Sequence, residues 1–412
     1  MTSFQQYLKK IRQPHKIAVK ITLLNADETE KQDITNQMFD ISGNISVNYQ
    51  NGARRSCTLK INNDRNRNPI DINHIWFGQK LKVWAGIYLD DNTPLYLPQG
   101  VFCVTNPTDT YNPSERSVTI QGVDKWAYFD GTIAGNLSGT YQTNIGNNLF
   151  EATRGLLRLS KYDNGTNESD KTEMIDPLEP NLSNYYIGKF DSFGNELLKC
   201  PYTATVQRGG TMADVLLEYA KILSASIYYD ANGRLVIEPL SSLDDFDEDK
   251  EILWDYTIDE KEMTGLETSY NFDKVYNDFI VLGNIANGYQ AKARIQNHNP
   301  LSDISIEKIG LKTKPPYEDS QYYSDSQCEA LGKEYAKQEG MLKKSITLPS
   351  LPLYHFDVNK LITVATPRNK MTKEKFLIDS YSLPLSGRGT MSVSACSVNN
   401  ISNFSVIGVD MN

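Results

Sequence analysis

The side chains best suited to nucleophilic, redox or metal chemistry are four histidines and five cysteines: His15, His74, His298 and His355, with Cys57, Cys103, Cys200, Cys328 and Cys396. Their spacing argues against all three chemistries. No histidine pair has the H-x-x-x-H or H-E-x-x-H separation that sets two imidazoles on one helix face, and no C-x-x-C pair occurs, so no metal site is indicated. An odd cysteine count without close pairs argues against a disulfide framework, and the thiols read as small buried hydrophobes. Neither a G-x-S-x-G elbow nor a phosphate-cradling G-x-x-x-x-G-K-[ST] or G-x-G-x-x-G is present; Gly387 and Gly389 fall in an expected hairpin turn. No cofactor, catalytic residue or metal ligand is therefore assigned.

Carboxylates are plentiful, at 51, and two kinds of chemistry could use them. A peptidoglycan-cleaving glycoside hydrolase needs two carboxyl groups about 5–10 Å apart across a cleft, one of them in an apolar pocket. Glu173 and Asp176 lie in a stretch rich in Asn, Ser, Asp, Glu and Pro, from Tyr162 to Tyr185, which reads as a long exposed loop rather than a cleft. The acidic run Leu243 to Lys250 lacks the turn glycine and terminal glutamate of a calcium loop and reads as a solvated linker. A carbohydrate-binding module is the third class, since sugars stack on aromatic faces and the chain has 24 tyrosines. Trp76, Trp84, Trp126 and Trp254 fall in or beside expected strands, where core or interface packing is the simpler use.

The net charge is −9 and the pI near 5.2, so there is no footprint for gripping a phosphate backbone, and sequence-specific nucleic-acid binding is not expected. Lys9-Lys10 and Arg54-Arg55 read as solvated faces. The first residues lack the apolar centre of a signal peptide, and no run of about 18 apolar residues could span a membrane. The expectation is synthesis and folding in the cytoplasm, with Asn44, Asn136 and Asn181 as loop residues rather than glycan acceptors.

Positioning any site falls to the elements. Residues 1–130 alternate apolar and polar positions in strand after strand: 17–23, 45–49, 56–61, 80–85, 100–104 and 117–120, broken at Asn51-Gly52 and Asn62–Asp64. This reads as a tube-like β-barrel domain. Residues 131–240 read as an inserted α/β domain. Its helices fall at about 145–159, with Ile145, Leu149, Ala152 and Leu156 on one face, and at 212–223, capped by Thr211. A hairpin follows at 227–237, turning at Asp230–Gly233. After the linker at 241–255, residues 256–405 read as a second tube-like β-barrel domain. It contains a helix at about 325–339, capped by Ser324 with Gln327 at its third position, carrying Cys328, Leu331, Tyr335 and Ala336 inward. The fold class is thus β-rich α+β, two barrels flanking a small α/β domain.

The two β regions share strand order. Lys80–Val83, Gly100–Val104 and Val118–Ile120 match Lys360–Val364, Lys375–Ile378 and Met391–Val393, a weak internal duplication set against generic strand–turn–strand patterning.

Four stretches carry a resemblance to a known family: residues 75–86, 97–106, 118–127, and 209–220 with the hairpin end at 235–239. In order along nearly the whole chain they resemble the central hub proteins of phage tails, baseplates and contractile injection systems, including prophage homologues. The resemblance implies a virion tail protein, a homotrimer whose two barrels per chain make six similar units around a channel. Such a ring matches a sixfold tail tube to a threefold spike or fibre. It also implies a tail tube or distal tail protein above, a spike, fibre or cell-wall-degrading protein below, and a tape measure protein. The chain departs from spike-fused and lysin-fused members by ending near Asn412, so any lytic activity is expected on a separate protein. A tail lysin or a receptor-binding carbohydrate module is the alternative.

Overall fold

The computed structural model describes residues 2–35, 41–62, 78–112, 115–160, 171, 173–190, 196–223, 225–239, 252–256, 262–270, 272, 275–286, 288–300, 302–318, 322, 325–340, 344–366, 371–387, 389–397 and 405–407. Trp76, His74, Ser324 and the acidic run 243–250 lie outside them, as do Asn63 and Asp64. Among the described residues the chain is β-rich with five α-helices. It divides into two compact units. The first takes residues 1–240, 349–358 and 380–393, and the second takes 241–348, 359–379 and 394–412.

The first unit opens on α1 (Ser3–Lys10), whose Thr2 and Gln5 form a capping box. Seven strands follow: β1 (Ile17–Leu24), β2 (Glu30–Asp33), β3 (Ile41–Asn48), β4 (Arg55–Asn62), β5 (Lys80–Tyr88), β6 (Pro94–Asn112) and β7 (Glu115–Asp124). They pair antiparallel in the order β3-β4-β7-β6-β5-β1-β2, and residues 380–384 extend the ladder beyond β3. The alternation in β5 shows why. Leu81, Val83, Ala85 and Ile87 are fully buried while Lys82, Trp84 and Tyr88 stand on the other face. Among the described residues the ladder is open, with β2 paired only to β1, so strand pairing alone does not close a barrel here.

Past β7 the chain turns through a buried 3-10 segment, Lys125–Tyr128, into helices and short strands. These are β8 (Tyr141–Thr143), α2 (Leu149–Arg158), β9 (Asn181–Leu182), β10 (Ala204–Val206), α3 (Met212–Leu223), β11 (Ala225–Tyr229) and β12 (Leu235–Pro239). Leu149, Leu156, Leu216, Tyr219, Ile227 and Ile237 join one core. The helix expected from Ile145 starts instead at Leu149, because Asn148 accepts from the N–H groups of Phe150 and Glu151 and Gly146 has a positive φ of 81°. Ile145 is consequently 67% exposed rather than on an apolar face.

In the second unit β13 (Ile252–Asp255) and β14 (Glu267–Tyr270) come first. Next, β15 (Asp278–Ala286), β16 (Tyr289–Gln296), β17 (Tyr317–Glu318) and β22 (Ser405–Ile407) make a four-stranded sheet in the order β17-β15-β16-β22. Between β16 and β17 sits the one-turn α4 (Ile306–Ile309). Over the sheet lies α5 (Asp325–Glu339), with Cys328 and Ala336 buried against Phe279, Val281, Ala293 and Ile295. Gly332 allows this approach, since a Cβ there would stand 2.8 Å from Ile295. Finally β18 (Lys344–Ser350) pairs β14, and β19 (Leu361–Thr366) lies parallel to β13 and antiparallel to β20 (Met371–Pro384), with β21 (Met391–Ser397) beside β20. The succession β19-β20-β21 thus runs like β5-β6-β7.

One glycine links turn to sheet within the first unit. Gly233 closes the β11–β12 hairpin at φ 82°, its N–H on Asp230 O, and a Cβ there would meet Val101 Cγ2 of β6 at 2.5 Å. Gly233→Ala therefore carries both a left-handed strain and a clash. Chemical denaturation should show a loss of about 1–3 kcal/mol, whereas an unchanged midpoint would mean the hairpin does not rest on β6.

Candidate functional site

The described residues include no cluster of three or more His, Cys, Asp or Glu placed to hold a metal ion. No helix is long and apolar enough to cross a membrane. The most concentrated chemistry is a buried charge cluster in the first unit, built on Lys125. This lysine follows the last residue of β7 and opens the 3-10 segment, and its side chain is 1% exposed. Its Nζ donates to Glu28 Oε1 at 2.7 Å and to Asp176 Oδ1 at 2.8 Å. Glu28, in the β1–β2 turn, holds the same oxygen against Lys80 Nζ at 2.7 Å. Asp176 also receives Tyr229 OH at 2.7 Å on Oδ2 and the Leu178 N–H at 2.9 Å on Oδ1. Two ammonium groups and two carboxylates thereby cancel out of water.

The electrostatics follow from that arrangement. Burial lowers the affinity of Lys125 for its proton, but Asp176 and Glu28 more than reverse it and hold the ammonium form. Burial alone would raise Glu28, yet Lys125 and Lys80 pull its carboxyl below the ordinary value of 4.5. The rings of Tyr229 and Tyr128 lie 5.0 Å from Lys125 Nζ and 5.6 Å from Lys80 Nζ. Burial pushes the nearby Cys103 thiol up to about 12, with the two lysines opposing, so it is an inert core group.

Next to the cluster, Asp124 organises the backbone. Its carboxylate accepts the N–H groups of Arg54, Arg55 and Trp126 at 2.8, 2.9 and 3.1 Å. Complete burial outweighs these donors and sets its pKa at about 6. Arg54 stacks 3.3 Å over the Tyr228 ring and donates to Ser226 Oγ, while Gly52 N–H bonds Ile227 O at 2.9 Å. Arg55 reaches Asp357 at 2.6 Å. The dipeptide read as a solvated face is therefore buried, each arginine 3% exposed, because a strand-end carboxylate and aromatic faces replace its water.

Of the two candidate catalytic carboxylates, Glu173 is exposed and Asp176 is 2% exposed with both oxygens engaged. The expectation of a solvated loop fails from residue 174 onward: Met174 bridges Ser160, Ile175 is buried and β9 pairs β12. Asp176 is drawn in by Lys125, a contact no local pattern announces. A recess of 140 Å³ beside this segment is bordered by Arg154, Arg158 and Glu179, the carboxylate accepting from both arginines. Cys57, Cys103, Cys200 and Cys328 are buried free thiols as expected, but Cys396 is only half-buried. Trp126 and Trp254 are core residues; Trp84 is half-buried between Lys20 and Lys82 at 4.8 and 5.1 Å.

No family model and no curated protein matches the sequence. Solved structures do. A tail protein from Neisseria meningitidis MC58 superposes with a TM-score of 0.59 at 12% identity, over 93% of this chain and 97% of that one. The 43 kDa tail protein of prophage MuSo2 from Shewanella oneidensis gives 0.55 at 14%, over 92% and 97%. Prophage tail protein gp18 from Listeria monocytogenes EGD-e gives 0.53 at 11%, over 93% and 95%. The fold is therefore that of phage tail proteins, shared end to end.

Two measurements test the cluster. Glu28 has a depressed pKa in the folded state, so its contribution is present above pH 4.5 and is lost as pH falls through the folded value. Asp124, raised by burial, acts in the opposite sense, so the comparison must be wild type against Glu28→Gln. Their stability difference should shrink as the pH drops below about 4.5, and a pH-independent difference would contradict the pairing. Asp124→Ala leaves three buried N–H groups without an acceptor and should cost about 2–4 kcal/mol in urea unfolding; a loss under 1 kcal/mol would mean water replaces the carboxylate.

Proposed function

We propose that the chain is a structural hub protein of a phage tail, working through its interfaces rather than by catalysis. The observation that carries this reading is the end-to-end fold likeness to tail proteins, 93% of this chain and 97% of the Neisseria protein. In this reading three copies form a ring, and two tube-like β regions per copy supply six similar units around a channel. The ring then joins a sixfold tail tube to a threefold spike or fibre. The successions of neighbouring strands β5-β6-β7 and β19-β20-β21 support the doubled unit. The domain scheme is two barrel domains about an inserted α/β domain.

A tail tube or distal tail protein would sit above, a spike, fibre or cell-wall-degrading protein below, and a tape measure protein within, in a particle assembled in the host cytoplasm. The net charge of −9 suits a channel through which DNA passes without sticking. Asp176, the carboxylate nearest to a catalytic reading, is consumed by Lys125, Tyr229 and Leu178, which favours the structural role over a lysin.

Light scattering after size exclusion decides between the readings. A hub should give three times the 46.5 kDa chain mass, alone or with the adjoining tail proteins. A chain that stays monomeric with those partners and clears a peptidoglycan suspension would sink the proposal.

A further inference from the structure

The lysine cluster holds more chemistry than an ion pair requires. Lys125 Nζ and Asp176 Oδ1 meet at 2.8 Å with both side chains 1% exposed. A second buried carboxylate, Glu28, touches the same nitrogen at 2.7 Å with its side chain 4% exposed. The Tyr229 hydroxyl donates to the second oxygen of Asp176 at 2.7 Å. Around them stand Tyr128, Phe129, Trp126 and Cys103, all in the apolar core. We propose that Lys125 and Asp176 condense spontaneously into an intramolecular amide, with Glu28 as proton relay.

The step balances without a co-reactant. An ammonium and a carboxylate differ from an amide by one water: the nitrogen keeps one of its three hydrogens, and the other two leave with Asp176 Oδ1. Transfer of one proton from Nζ to Asp176 Oδ1 gives the free amine and the carboxylic acid; the amine attacks Cγ, and Glu28 then takes a second proton from Nζ and passes it to the departing Oδ1–H, which leaves as water. Tyr229 holds Oδ2, where negative charge builds in the tetrahedral intermediate and which becomes the amide carbonyl. The Leu178 N–H donates to the oxygen that leaves. Fixing amine and carboxyl in contact gives an effective molarity on the order of 10⁵ M or more, and a dry core disfavours the return of water.

Lys80 explains why the cluster has two lysines. Condensation erases one positive and one negative charge, and Lys80 remains 2.7 Å from Glu28, so the residual pair is still neutral. It also keeps Glu28 in the anionic form a base requires. With one lysine, the reaction would strand a buried carboxylate, which is costly. The bond would join the exit of β7 to the segment leading into β9 and clamp the strands of the first unit to its helix–hairpin half. It stands whether or not three chains form a ring.

The test is the intact mass of the full chain under denaturing conditions. The expected wild-type mass is one water below that of the sequence, with the deficit in a tryptic species joining residues 117–154 to 172–189 and uncleaved at Lys125. Lys125→Arg, which keeps the charge but not the primary amine, should return to its full sequence mass. Glu28→Gln should slow the loss of water at least tenfold in freshly synthesised chain. A wild-type chain of full mass means an ion pair only and overturns the proposal, as does a deficit mapping to any other peptide.

Discussion

A lysine ammonium cannot sit uncompensated in a protein interior, and the burial of Lys125 sets terms for the first unit. It obliges the β1–β2 turn to deliver Glu28 from a left-handed φ of 66°, and the 173–182 segment to deliver Asp176 from beyond α2. Lys80 then follows because Glu28 must itself be matched. Three stretches far apart in sequence are thus brought to one point by charge, while the apolar core around them supplies most of the driving force. Such a cluster adds little net stability over a well-packed apolar alternative, but it makes misdocking expensive. That is a useful property for a protein whose parts must hold one geometry.

Asp124 does for the backbone what Lys125 does for side chains. By accepting three N–H groups it fixes where β7 ends, where β4 begins, and where the buried 3-10 turn starts. Arg54 and Gly52 carry the register on to β11, so the sheet and the hairpin share one frame. An exposed polar cluster of the same composition would be exchangeable; this one is not.

Much of the fold was legible in the sequence, because alternation in a strand and the helical spacing of α3 and α5 are local signals. Leu81, Val83, Ala85 and Ile87 announce their buried face, and Met212, Val215, Leu216 and Tyr219 theirs. The candidate site was not legible. Nothing around Asp176 has a period, and whether a carboxylate is solvated or buried depends on a partner 51 residues away. Arg54 and Arg55 misled for the same reason, since a dibasic step looks solvated until the aromatic rings and carboxylates that receive it are placed. Ile145 failed on a finer point, the preference of Asn148 for capping over continuing a helix. At 11–14% identity to tail proteins of the same fold, what persists is the layering of apolar and polar positions rather than particular residues.

The two compact units are not consecutive in the chain, and that has a consequence in time. The first unit is completed by residues 349–358 and 380–393, so the Arg55 guanidinium waits 302 residues for the Asp357 carboxylate. On the ribosome, residues 1–240 emerge while their closing pieces are still untranslated. A truncated chain therefore leaves a buried cation without its counterion. Synthesis itself becomes a checkpoint: only a chain read through both returning segments can finish the unit made first.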